Sequence, residues 1–215
     1  MAAASPNGSN APRRSGRQNS FMSATCLELE EIQGVRLLRL ISADGTNRLT
    51  REVVLALTQA ISELATAARP LVIAGNERFF SAGADLREIA GLDAASAYEF
   101  SKMGQALMRE IANFPAPVYA AISGYCMGGG LDLALACQYR IASPHAVFGH
   151  RGAALGLITG WGGTQRLPRL IGKAAALQMF VAAEKLSAPH AVRIGLVGAI
   201  ANDPVAETIR RMRAS

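Results

Sequence analysis

Apolar residues alternate in two short runs: Leu27, Leu29 and Ile32, then Val35, Leu37, Leu38 and Leu40, split by Gln33 and Gly34. A period of two on either side of a tight polar break predicts a hairpin. From Thr50 the period changes. Val53, Val54, Leu57, Ile61 and Leu64 share one face of a helix predicted over residues 50–68, with Thr50 as its N-cap and Pro70 beyond its end. Residues 71–75 form a short continuous apolar run that predicts a buried strand. A second amphipathic helix is expected over 96–114 and a second buried strand over 118–122. A helix should then start in the glycine run at 128–130 and carry Leu131 to Cys137. Strands follow at 139–142 and 146–148, then a glycine turn at 160–164 ahead of a helix near 165–170. Further helices are predicted at 174–183 and 188–194. Short buried strands alternating with helices point to an α/β fold, a sheet layered with helices.

Composition bounds this picture. The chain has 215 residues, of which half are hydrophobic and 18% charged, enough for one domain with a sizeable core. No apolar stretch approaches the roughly 18 residues of a membrane span, so no membrane association is expected. Three of the six net positive charges, Arg13, Arg14 and Arg17, lie before residue 22. The excess left for the rest is small and argues against a nucleic-acid partner. Residues 1–22 hold almost no large apolar side chains and are expected to be a disordered basic tail. Their Arg- and Ser-rich, acid-free composition also fits a transit peptide, and Met22 fits an internal start. Cys26, Cys126 and Cys137 have no metal-like spacing and suit reduced thiols in a cytoplasmic protein. With only three histidines, no metal site is expected.

Chemistry concentrates at two glycine-centred junctions. One is Ser81-Ala82-Gly83-Ala84-Asp85-Leu86, after the strand at 71–75. The other runs from Gly124 to Asp132, between a strand and a helix. Small residues there let a ligand approach backbone amides that no helix carbonyl has claimed. Two such donors converging from separate loops would form an oxyanion hole. Tight packing of strand on helix is the other use for such glycines. Dinucleotide and P-loop fingerprints are absent: no G-x-G-x-x-G follows the first strand, and Gly172-Lys173 lacks its flanking partners.

These segments, with Gly160-Trp161-Gly162-Gly163-Thr164-Gln165-Arg166-Leu167, Ser187-Ala188 and Gly195-Leu196-Val197, resemble in order the motifs of the enoyl-CoA hydratase/isomerase (crotonase) family. The resemblance implies a crotonase-like fold of repeated ββα units over residues 23–197, followed by a shortened C-terminal helical segment at 198–215. It implies an acyl-CoA thioester as substrate, with coenzyme A carried by that substrate and no permanently bound cofactor. It also implies assembly as a homotrimer or hexamer. Carried over residue by residue, it makes the amides of Ala84 and Gly129 the oxyanion donors. It puts Asp132 at the place of the family's first catalytic glutamate, and the CoA against Ala82, Asp85, Leu86 and Arg87. Asp85 would also anchor its turn.

The chain departs from the pattern at the second glutamate, whose position falls on Gly152. Hydration ordinarily uses one group to activate water and another to protonate the α-carbon. His150, next to the vacant position, is the remaining candidate to titrate near neutrality. A carboxylate at Asp132 is also what a helix dipole stabilises, and a histidine flanking a strand is often only a hydrogen-bonding residue. Three readings therefore stay open: hydratase or isomerase chemistry through Asp132, another thioester reaction such as decarboxylation or hydrolysis, and a binding subunit without turnover.

Overall fold

The computed structural model describes residues 18–24, as backbone, and 26–214. Strands Gln18–Ala24 (β1), Leu27–Ile32 (β2) and Val35–Leu40 (β3) form an antiparallel meander. The β2–β3 turn is Gln33-Gly34, both at positive φ (53° and 83°), the backbone a two-residue hairpin needs to match strand twist. The tail expected up to residue 22 is thus corrected at its end: residues 18–22 lie in β1, paired with β2. Residues 1–17 lie outside the described residues.

After the short strand Arg48–Leu49 (β4), helix Arg51–Ala65 (α1) starts where Thr50 accepts a hydrogen bond from the Val53 amide at 3.2 Å. Strands Leu71–Ala74 (β5), Phe79–Ser81 (β6) and Gly83–Ala84 (β7) lead to helix Leu86–Ala90 (α2) and the long helix Ala94–Ala112 (α3). Asp93 and Ser96 close a reciprocal capping box at the start of α3. Strands Val118–Ile122 (β8) and Tyr125–Met127 (β9) precede helix Gly129–Ala136 (α4), and Tyr139–Ala142 (β10) and Val147–Gly149 (β11) follow. A 3-10 turn at Gly152–Leu155 is succeeded by helices Gly163–Ile171 (α5) and Lys173–Ala182 (α6). Strand Leu186–Ser187 (β12), helix Ala188–Arg193 (α7), strand Ala199–Ile200 (β13) and helix Pro204–Ala214 (α8) complete the path.

The main sheet has the order β1-β2-β3-β5-β8-β10-β13, parallel from β3 onward. Its central strands are buried on both faces, as continuous apolar runs require. Leu38, Ile73 and Ala120 face the large core built with α1, α3 and α4. Leu37, Val72 and Ala121 face a smaller cluster closed by Ile209 of α8. A second sheet, β12-β11-β9-β6, and the two-residue pair β4–β7 carry the loops that matter for function. Every long element expected from the sequence is present. The two-residue strands and the three-residue strands β6 and β9 were not foreseen.

Candidate active site

The loop from β6 to α2 is fixed from below. Ser81, fully buried, donates to the Asn47 carbonyl at 2.7 Å and accepts from the Gly83 amide at 3.1 Å. Asn47, held at φ 51°, donates through its side chain to the Phe79 carbonyl at 3.0 Å. Parallel pairing of Gly83 and Ala84 with Arg48 and Leu49 completes the hold. The second loop, between β9 and α4, turns at Gly128 with φ 50° and starts α4 at Gly129. Gly129 therefore carries one of the amides for which a helix has no internal acceptor.

Glycine is required where the two loops meet. A Cβ on Gly83 would stand 2.5 Å from the Met127 carbonyl oxygen, and one on Gly129 would stand 3.3 Å from the Ala84 nitrogen. Behind Gly129 lies the indole of Trp161, which a Cβ on Gly129 would meet at 2.5 Å and one on Gly104 of α3 at 2.2 Å. The indole N–H donates to the Phe100 carbonyl at 3.2 Å, and the two rings pack at 5.2 Å. Trp161 is thus wedged between two glycines and sets how far α4 stands from α3.

Ala84, Gly129 and Trp161 line a mostly apolar cavity of about 690 Å³. Two of its polar side chains are deeply buried and face each other. Asp132, in the first turn of α4, is 1% exposed, and His150, just after β11, is 4% exposed. Asp132 Oδ1 and His150 Nε2 stand 3.4 Å apart. Neither atom has a hydrogen-bond partner, and the only other orphaned buried side-chain atom among the described residues is Glu110 Oε2. Burial normally leaves few such atoms, and those that remain ask for a ligand or a chemical use. Asp132 Oδ2, by contrast, accepts a hydrogen bond from the Thr159 hydroxyl.

Burial drives the two groups toward their neutral forms. Desolvation raises the Asp132 carboxyl to about 7 from its ordinary 3.8, against the opposing pulls of the Thr159 hydroxyl, the Arg166 guanidinium and the nearby Trp161 and Gly163 amides. Those two amides approach the carboxylate without reaching hydrogen-bond geometry with Oδ1. Desolvation lowers His150 to about 4. At neutral pH the pair is therefore an uncharged imidazole beside a carboxyl group poised to give or take a proton, not a fixed ion pair. Arg166 is occupied by the carbonyls of Trp161 and Met108, consistent with a structural role.

Several expected residues meet here and others stand aside. Ala82 and Leu86 line the cavity with Ala84, Gly129, Asp132 and His150. Asp85 and Arg87 are not among its lining residues. The Asp85 carboxylate caps α2 by accepting from the Arg87 amide at 2.8 Å, and Arg87 is exposed. Gly152 lines the cavity, but a Cβ there would meet the Leu157 carbonyl oxygen at 2.6 Å. Two residues escaped sequence reasoning. Thr159 supplies the hydroxyl, and Gly163 makes room for the pair, since a Cβ on it would lie 2.1 Å from Asp132 Oδ1 and 3.1 Å from His150 Nε2. Cys126 and Cys137 are buried, and burial pushes the Cys137 thiol up to about 12, so neither offers a ready thiolate. Among the described residues no cluster of three or more metal-ligating side chains occurs, and no helix is long and apolar enough to cross a membrane. A larger cleft of about 890 Å³, between α8 and the ends of β3, β5 and β8, contains neither Asp132 nor His150.

The sequence profile of enoyl-CoA hydratase/isomerase matches residues 30–214. The chain belongs to this family. A probable enoyl-CoA hydratase of Bacillus subtilis is 41% identical over 171 residues, 78% of this chain and 66% of that protein. The crotonyl-CoA hydratase of Syntrophomonas wolfei is 37% identical over 175 residues, covering 80% of this chain and 67% of the relative. The chain thus spans about two thirds of the length of these relatives. Among solved structures, Pseudomonas aeruginosa DspI superposes with a TM-score of 0.83 at 35% identity, covering 92% of this chain and 82% of that one. The α/β architecture described above is the crotonase-like fold.

Proposed function

We propose that the chain binds an acyl-CoA thioester in the 690 Å³ cavity and makes and breaks a bond to hydrogen at its α-carbon. The observation that carries this reading is the orphaned Asp132 Oδ1 and His150 Nε2, 3.4 Å apart in the wall of an apolar cavity that also holds two converging backbone loops. In the proposed step the Cα–H bond breaks and its proton passes to Asp132 Oδ1. The electron pair moves into the thioester carbonyl, and the amides of Ala84 and Gly129 receive the charged oxygen. Such donors act where charge develops, each worth on the order of 3 kcal/mol of barrier. His150, neutral and facing Oδ1, is assigned the exchange of that proton with water or product. The CoA moiety is assigned to the loop carrying Ala82, Asp85, Leu86 and Arg87.

The names of the relatives favour hydration. Gly152 favours the other activity of the family's name, isomerisation. The position has no carboxylate and no space for one, and moving a double bond along an acyl chain needs one acid–base group that takes a proton from one carbon and returns it to another. The exposed apolar side chains Leu155, Ile158, Leu177 and Val181 around the cavity support self-association, proposed as a homotrimer or hexamer. The three free thiols support a reducing, cytoplasmic setting.

Crotonyl-CoA and a 3-enoyl-CoA, incubated separately with the protein and with Asp132→Asn, test the reading by product analysis. A gain of water on the first identifies a hydratase, and a mass-neutral conversion of the second identifies an isomerase. Either activity should fall by at least two orders of magnitude in Asp132→Asn. No conversion of either thioester despite tight binding in calorimetry would refute hydration and isomerisation, in favour of another thioester reaction or a binding subunit.

A further inference from the structure

Thr159 has no place in the reading drawn from the sequence, yet it supplies the only hydrogen bond to the Asp132 carboxylate among the described residues. We propose that Thr159 is a positioning residue: its hydroxyl occupies Asp132 Oδ2 and so makes Oδ1, the oxygen facing His150 Nε2, the one that carries the reaction's proton. The inference rests on the proposed role of Asp132.

The geometry argues it step by step. Helix α4 fixes the Asp132 backbone, which leaves the carboxylate free to turn about its last torsion. Two equivalent oxygens would then trade places. The Thr159 hydroxyl, arriving from the segment ahead of α5, breaks that equivalence. A carboxylate oxygen that accepts a hydrogen bond is less basic than one that does not, so the proton settles on Oδ1. Oδ1 is the atom left without a partner, and His150 Nε2 across from it is equally unsatisfied. Gly163, the first residue of α5, lets both atoms stay there, because any side chain would fill the gap between them. Thr159 itself lines the cavity, so the hydroxyl, the carboxylate and the bound acyl group share one space.

The other groups facing Asp132 do not substitute for Thr159. Arg166 of α5 lowers the carboxyl from a distance while its guanidinium is bound to carbonyls. Cys126 of β9 is a buried thiol held far toward its neutral form, and His150 after β11 is neutral near pH 7. Thr159 is the side chain that donates a hydrogen bond to one carboxylate oxygen, Oδ2, and leaves the other without one.

The test compares the parent with Thr159→Val, which keeps the shape and removes the hydroxyl, and with Thr159→Ser, which restores the hydroxyl. Infrared difference spectra on pH titration read the protonation of Asp132 without any turnover, the band being assigned by its loss in Asp132→Asn. The pH profile of kcat/KM reads the same group during the reaction. A hydrogen bond donated to a carboxylate favours its ionised form, so both readouts should move up by about one to two pH units in Thr159→Val and return in Thr159→Ser. An unmoved infrared midpoint would overturn the proposal. A shifted infrared midpoint beside an unmoved kinetic limb would instead remove Asp132 from the reaction, and the proposal with it, while leaving the Thr159 contact standing.

Discussion

Replacing Asp132 by asparagine and, separately, His150 by glutamine should tilt the pH dependence of stability in opposite directions. The Asp132 carboxyl is raised from 3.8 to about 7 in the folded chain. Its neutral form therefore contributes stability that is full below 3.8 and is lost as pH rises through 7. His150 is lowered from 6.5 to about 4, so its contribution is full above 6.5 and is lost as pH falls through 4. Each slope is about 1.4 kcal/mol per pH unit. Between pH 4 and 6.5 the two slopes oppose each other, and the parent protein shows almost none of either. Asp132→Asn leaves His150 alone, so stability should fall by about 3 kcal/mol on acidification across that window. His150→Gln leaves Asp132 alone, and stability should rise by about 3 kcal/mol over the same range. Urea denaturation at half-unit steps of pH and fixed protein concentration measures both curves, with the ordinary acid titrations of the surface cancelling against the parent. Flat profiles in both variants across this window would mean that burial does not shift either group, and would refute the argument that burial keeps them neutral.

Three further substitutions probe the walls of the site. Gly129→Val should lower kcat by about 10²–10³-fold, the range for loss of an oxyanion donor, because its Cβ collides with Trp161 and pushes the amide away from Ala84; steady-state kinetics on a converted thioester checks it. Gly163→Ala should lower kcat by at least about 10²-fold with near-normal acyl-CoA binding in calorimetry, since its Cβ lies 2.1 Å from Asp132 Oδ1. Gly152→Glu, which supplies the family's second carboxylate, should destabilise the chain by about 1–3 kcal/mol in urea and should not raise hydration of crotonyl-CoA, because the Leu157 carbonyl blocks its Cβ.

Much of this was readable in the residues, for physical reasons. The long helices and central strands follow from apolar periodicity that local burial imposes, as at Val54, Leu57 and Ile61 of α1. The junctions at Gly83 and Gly129 were legible because glycines cluster where backbones touch. β4, β7 and β12 were not, since a two-residue strand exists only through its partner across the fold. The environment of His150 was equally hidden. A histidine after a strand carries no sign of being 96% buried against Phe180 of α6, thirty residues on. Thr159 and Gly163 sit in a stretch whose glycines suggest only a turn. Their purpose appears once α4 brings Asp132 alongside.

Deuterium uptake at the α-carbon of a saturated acyl-CoA, followed by NMR in D₂O, tests enolate formation directly and needs no second carboxylate. The account predicts steady exchange with the parent and at least a hundredfold slower exchange with Asp132→Asn, with thioester binding retained in both. Exchange that proceeds equally in Asp132→Asn, or that is absent from the parent while the thioester is bound, would contradict it.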